Sequence, residues 1–113
     1  MHDCLFCKII KGEIPSKKVY EDEFVYAFHD INPQAAVHIL IVPKTHIASA
    51  AEITPDNSAL VSKVFEAAAK IAAEAGLDKG YRVVTNVGEY GCQSVKHIHF
   101  HLLGGQQLSD KMS

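Results

Sequence analysis

Histidines at 97, 99 and 101 alternate with Ile98, Phe100 and Leu102, the period-2 pattern of a half-buried strand. On such a strand the three imidazoles share one face at intervals of ~7 Å, and the apolar residues point the other way into a core. Imidazole changes charge near neutral pH, so a row of three is a proposal for chemistry. Such a row could hold a metal, move protons or attack an electrophile. Only outer side chains leaning inward could meet on one ion at that spacing. A nucleophilic histidine, by contrast, needs an orienting hydrogen bond on its far nitrogen and an anion-friendly pocket in front. The loop Gly91-Cys92-Gln93-Ser94, just upstream, offers hydroxyl, amide and backbone donors for a phosphoryl group. Strand and loop side by side favour phosphoryl or nucleotidyl transfer.

A second set of chemical groups opens the chain. Cys4 and Cys7 stand at CxxC spacing, which brings two sulfurs onto one metal or one redox centre. No strand precedes them, as a thioredoxin-like site would require. A zinc site needs two further ligands from elsewhere, and two buried cysteines flanking an apolar turn would read the same way. His38 and His46 each lie at an end of the most apolar run, where a lone histidine is more often a surface residue than a ligand. Asp30 fits an Asx turn or a carboxylate presented to a ligand hydroxyl, and the residues alone leave both open.

The elements that must position these groups follow from periodicity. Lys18-Val19-Tyr20 and Phe24 to Phe28, joined by Glu21-Asp22-Glu23, predict a hairpin. His29 to Gln34, with its Asn32-Pro33 pair, predicts a loop, and Val37 to Pro43 a central strand ended by proline. Thr54 as N-cap and Pro55 at the first helical position predict the one long helix, its stripe formed by Leu60, Val61, Val64, Phe65, Ala68, Ile71 and Ala72 and its stop by Gly76. Tyr81 to Asn86 predicts another strand. The mostly polar residues 106–113 predict an exposed tail.

Composition narrows the class. A chain of 113 residues, 48% hydrophobic, predicts a single domain over 1–113 whose small core would gain from a partner subunit. A net charge of -2 without a basic run gives no nucleic-acid groove. No run approaches the ~20 apolar residues of a membrane span. Met1-His2-Asp3-Cys4 lacks a signal-peptide layout, and three cysteines, an odd number, suit a reducing cytoplasm better than a disulfide scaffold.

His-Ile-His-Phe-His-Leu-Leu at 97–103 resembles the HφHφHφφ signature of the histidine-triad (HIT) nucleotide hydrolases and transferases. Gly91-Cys92-Gln93-Ser94-Val95, Phe28-His29-Asp30-Ile31-Asn32-Pro33-Gln34 and Ile41-Val42-Pro43-Lys44-Thr45-His46 are similar to the Hint branch, in the same order. The resemblance runs from Cys4 to Gly105. It implies an α+β fold with a five-stranded antiparallel sheet and one long helix, two copies joining their sheets into ten strands in a homodimer, with 1–17 as an N-terminal CxxC segment.

The activity implied is hydrolysis of purine nucleoside 5′-phosphoramidates, conjugates of AMP or GMP, with no metal in catalysis. By position His99 would be the nucleophile, forming a nucleotidyl-histidine intermediate. His101 would hydrogen-bond the phosphate with His38 nearby, and the carbonyl of the His38 region could orient His99. Ser94 and Gln93 would contact phosphate or leaving group, with Asn86 beside them; Asp30 would take the ribose hydroxyls and Ile31 would help hold the base. The CxxC is similar to that of bacterial relatives with a structural zinc, implying Cys4, Cys7, His46 and His97 as ligands. Cys92 stands where the family commonly has glycine, which implies a narrowed phosphate approach or a different backbone angle. A dinucleoside polyphosphate hydrolase and a nucleotide-binding regulatory or scaffold module are the competing readings.

Overall fold

The computed structural model describes residues 4–112; the signal-peptide reading falls partly on residues 1–3, outside them. Five strands form one antiparallel sheet: β1 (Lys18–Glu21), β2 (Val25–His29), β3 (Val37–Pro43), β4 (Tyr81–Thr85) and β5 (Phe100–Gly104). Their order across the sheet is β1-β2-β3-β5-β4, so the strand with His38 and the strand with His101 are central neighbours. The β1–β2 turn is closed by Asp22, whose Oδ1 accepts from the amides of Phe24 (2.7 Å) and Val25 (2.9 Å).

Alternation sorts the sheet into two faces. Ile39, Ile41, Ile98, Phe100 and Leu102 join Val25 and Ala27 under the long helix α2 (Ala59–Glu74), which contributes Val64, Ala67, Ala68, Ile71 and Ala72. Each large aliphatic side chain buried there contributes roughly 1.5–3 kcal/mol. On the opposite face Tyr26, Phe28, Leu40 and Val42 pack against Phe6 and Ile9 of a short helix, α1 (Leu5–Ile10). That second face also carries His38, His97, His99 and His101, because each keeps the parity of its strand.

Three sequence expectations shift. Regular α2 begins at Ala59, later than the Thr54–Pro55 start expected. Thr54 does cap, its Oγ1 accepting from the Asp56 amide at 3.2 Å, but it caps a separate turn. Asn57 accepts from the Thr54 amide and donates to the Glu52 carbonyl, which holds that turn apart from the helix. Phe65, expected in the buried stripe, is 49% exposed. The helix lies mainly over β1 to β3, so Phe65 overhangs the sheet and meets Phe100 edge-on, with ring centroids 5.8 Å apart. Finally, the histidine strand is regular only from Phe100. Pro43 has no N–H with which to extend the ladder opposite Ile98, and the Ile98 amide donates to the Ile47 carbonyl instead.

Candidate functional site

Each histidine of the row has one ring nitrogen committed to a fixed partner, and that partner sets what the other nitrogen can do. His97, fully buried, lies with Nε2 2.9 Å from the Pro43 carbonyl. A carbonyl only accepts, so Nε2 carries the proton and Nδ1 presents a lone pair. That lone pair faces the two cysteines: Nδ1 is 3.3 Å from Cys4 Sγ and 3.6 Å from Cys7 Sγ, and His46 Nδ1 is 3.4 Å from Cys7 Sγ.

These four groups present one donor atom each, all within 4.8 Å of one another. A tetrahedral zinc with legs of ~2.3 Å to sulfur and ~2.1 Å to nitrogen sets neighbouring S and N atoms ~3.6 Å apart. The three measured separations match that edge. Local folding explains the preformed geometry. Cys4 is the N-cap of α1, its Sγ accepting from the Cys7 amide at 3.3 Å, and the single helical turn brings both sulfurs to one side. Burial and the adjacent Cys4 thiol push the Cys7 thiol up, and burial holds His97 below the ordinary histidine value, so its ring is neutral. Cys4, Cys7, His46 and His97 thus fit a structural zinc as a closed Cys₂His₂ set.

His99 points its Nδ1 at the carbonyl of His97, 2.7 Å away. Nδ1 is therefore the donor and Nε2 the free lone pair, the arrangement a nucleophile requires. The orienting carbonyl belongs to His97 itself, not to the His38 region as expected. The chain leaves the regular ladder here, and the peptide before Ile98 turns its carbonyl toward the ring. Phe6 of α1 closes the other side, edge-on to His99 at 5.0 Å between centroids.

His101 belongs to a hydrogen-bond chain. The Gln34 amide donates to His38 Nδ1 at 3.0 Å, which places the His38 proton on Nε2. Nε2 in turn faces His101 Nδ1 at 2.9 Å and Asp30 Oδ2 at 3.4 Å. His101 Nδ1 accepts, so its Nε2 is an N–H donor. Burial, then the neighbouring His99 and His38, push His101 down to about 4, and burial lowers His38; both rings are neutral at pH 7. Asp30, His38 and His101 have the residue types of a metal site. A cation on His38 Nε2 would require its proton to move to Nδ1, against the Gln34 amide, so this cluster is a proton-ordering chain. Asp30 also closes an Asx turn, Oδ1 accepting from the Asn32 amide at 2.8 Å.

The loop after β4 is internally bonded. The Gln93 amide donates to the Gly88 carbonyl and the Cys92 amide to the Glu89 carbonyl, both at 3.0 Å, the paired bonds of a Schellman-type turn. Asn86 Nδ2 reaches the Gly91 carbonyl at 2.7 Å. The Gln93 side chain spans from the Gly88 amide to the carbonyls of Ala48 and Val95. Gly91 is there for space, since a Cβ would fall on the Val87 backbone. Ser94 is exposed.

Cys92 takes the left-handed position of this turn, φ 61°, the one non-glycine residue with positive φ among those described. The expectation of an altered backbone angle resolves in that form: the turn is kept and the side chain tolerates it. Cys92→Gly should therefore raise stability by about 0.5–1 kcal/mol, strain relief outweighing the added unfolded-state entropy. Urea denaturation measures it; a destabilised variant would show that the Cys92 side chain has a stabilising contact.

A cleft of about 630 Å³ between the α2–β4 turn and the tail, lined by Lys79, Tyr81, Arg82 and Leu108 among others, contains none of the groups above. Phe6, the Gln34 amide and the Pro43 carbonyl were not foreseen. Phe6 lies inside the CxxC helix and could have been found from it. The two backbone groups carry no signal in their residue types.

An antiparallel α+β sheet with a row of tautomer-fixed imidazoles beside a polar turn and a Cys₂His₂ cluster defines a histidine-based transferase or hydrolase architecture. The HIT domain model matches residues 11–108, and the chain belongs to the HIT family. It is 49% identical over 107 residues to an uncharacterized HIT-like protein of Synechococcus elongatus, covering 95% of this chain and 94% of that one. A 14 kDa zinc-binding protein of Zea mays is 51% identical over 107 residues, 93% of this chain and 84% of the relative. Among solved structures, a HIT family hydrolase from Clostridium thermocellum superposes with a TM-score of 0.97 at 48% identity, covering 100% and 99% of the two chains. A histidine triad protein from Clostridium difficile does so with 0.95 at 49%, covering 98% and 97%.

Proposed function

We propose that the protein is a nucleotide hydrolase of the Hint type that cleaves purine nucleoside 5′-phosphoramidates through a nucleotidyl-His99 intermediate. One observation carries this reading: the His97 carbonyl fixes the proton on His99 Nδ1 and leaves Nε2 as a lone pair. Attack of Nε2 on the α-phosphorus forms a P–N bond as the P–N bond to the amine breaks. The amine takes up a proton from solvent as it leaves. Water then attacks phosphorus, the bond to His99 breaks, and nucleoside monophosphate departs with release of one proton.

Exchange of one P–N bond for another is nearly even in energy, which suits a histidine nucleophile. The attacking ring becomes positively charged, and its Nδ1–H bond to the carbonyl strengthens with that charge. His101 donates Nε2–H to a phosphate oxygen, its tautomer held by His38 and the Gln34 amide. Ser94 faces the same phosphate, while Gln93 and Asn86 act through the turn they bond together. Asp30 receives the ribose hydroxyls, and the fully exposed Ile31 beside it offers an apolar surface to the base. Zinc on Cys4, Cys7, His46 and His97 would be structural; the zinc-binding name of the maize relative agrees with that set.

The catalytic unit is proposed to be a homodimer working in the cytoplasm, where metal-ligating thiols stay reduced. β4 is an unpaired sheet edge carrying the exposed Tyr81, and the exposed Phe65 rests on Phe100 of the neighbouring β5, a combination that pairing with a second copy would cover. Light scattering should give twice the 12.4 kDa chain mass; a monomer at micromolar concentration contradicts the dimer. Function is tested by comparing hydrolysis of adenosine 5′-phosphoramidate with that of a diadenosine polyphosphate. Preference for the first supports the proposal. Preference for the second assigns a polyphosphate hydrolase, and AMP binding without turnover of either assigns a regulatory module.

A further inference from the structure

The loop from Asp30 to Ala36 supplies both the carboxylate proposed for the ribose and the amide that orders the His38–His101 chain, and apart from one contact with the tail its bonds run within the loop or to His38. Asp30 Oδ1 closes its own turn and Gln34 Nε2 donates to the Asn32 carbonyl at 3.1 Å. The β3–β5 ladder that would continue to hold it ends at Val37 opposite Gly104. Gly105 then turns with φ +81°, and a Cβ there would come within 3.0–3.4 Å of Val37 and Ala36, so the two segments run close together just past the last ladder pair. There Gln106 supplies an acceptor from outside the loop: its Oε1 takes the Ala36 amide at 2.7 Å across 70 residues of sequence. Arg82 holds the same tail from the sheet edge by donating from Nη2 to the Ser109 carbonyl.

We infer that Gln106 is a positioning residue for the nucleotide pocket, a side chain that ties the loop to the chain just after β5 by one bond and so holds the Asp30–Gln34 loop in its binding geometry. The inference rests on the proposed assignment of Asp30 to ribose. Once nucleotide is bound, its own contacts hold the loop, so the strap acts on the free protein. Loosening it lowers the fraction of molecules with a competent loop, and apparent affinity falls by that fraction. KM should rise while kcat stays near its original value.

The test uses the full chain with Gln106→Met, which keeps the side-chain length and loses the acceptor, and Gln106→Glu, which keeps an acceptor oxygen. Gln106→Met should raise KM for adenosine 5′-phosphoramidate about 3- to 10-fold, the factor corresponding to one hydrogen bond, with kcat within about twofold. Amide exchange at Ala36 should accelerate in Gln106→Met and stay slow in Gln106→Glu. Unchanged KM and Ala36 exchange in Gln106→Met overturn the inference, as does a Glu variant that exchanges as fast as the Met variant. If the wild-type chain hydrolyses no phosphoramidate, the proposed function fails by itself, and AMP titration with Ala36 exchange still decides the strap.

Discussion

His99→Ala should lower phosphoramidate turnover by at least ~10³-fold, the scale expected when the nucleophile of an interdependent set is removed. The size follows from the bond it would eliminate. With no imidazole at 99 there is no covalent intermediate, and water must attack the substrate directly without a base positioned for it. Nucleotide binding should survive, because Asp30 and the chain from Gln34 through His38 to His101 keep their hydrogen bonds without His99. The zinc set should survive too, since His97 uses its own ring and the Pro43 carbonyl. Expected together, then, are a lost burst of amine release, AMP affinity within a few-fold of wild type, and unchanged metal content. Residual turnover within about tenfold of wild type would remove His99 from the nucleophile role and make His101 the next candidate. Rapid quench into alkaline denaturant separates the two, because the phosphorus–nitrogen bond of a nucleotidyl-histidine survives base and the wild type should trap label on one histidine.

Alternation alone was enough to place Ile98, Phe100 and Leu102 under the helix and the three histidines on the opposite face. It works because burial on one side of a sheet forbids a one-residue slip. The inequality of the three rings could not be read the same way. What distinguishes them is a backbone carbonyl at His97, another at Pro43 and an amide at Gln34, and every residue type carries the carbonyl and all but proline the amide N–H. The late start of α2 has a similar origin: Thr54 and Pro55 have the right chemistry for a helix start, but Asn57 bonds Thr54 and Glu52 into a separate turn. Cys92 shows the converse. Its left-handed angle is the one a glycine-bearing turn requires, and the family's glycine at that position pointed to it.

Cys7→Ser should remove the metal, about one zinc per chain by elemental analysis, and lower the melting temperature by roughly 10 °C or more, equivalent to ~3 kcal/mol in a domain of this size. A serine hydroxyl is neutral at pH 7 and a poor match for a zinc leg set for thiolate. Loss of the ion leaves Cys4, His46 and His97 around a polar gap, and the N-terminal helix loses its tie to the sheet. The same change should reach catalysis without touching it directly. His97 holds the metal through Nδ1 and the Pro43 carbonyl through Nε2, so its ring is gripped at both ends. Its own carbonyl, one peptide away, is what fixes the His99 tautomer. Phe6, carried on the metal-bound helix, packs on the His99 ring. Release of the ion frees both supports, and kcat should fall about 10- to 100-fold, the range for an outer support of a reacting group, with KM changed much less because Asp30 lies on another loop. A Cys7→Ser protein that loses zinc but keeps wild-type kcat would show that the sheet alone holds the His97 carbonyl in place, and that the metal serves only the attachment of α1.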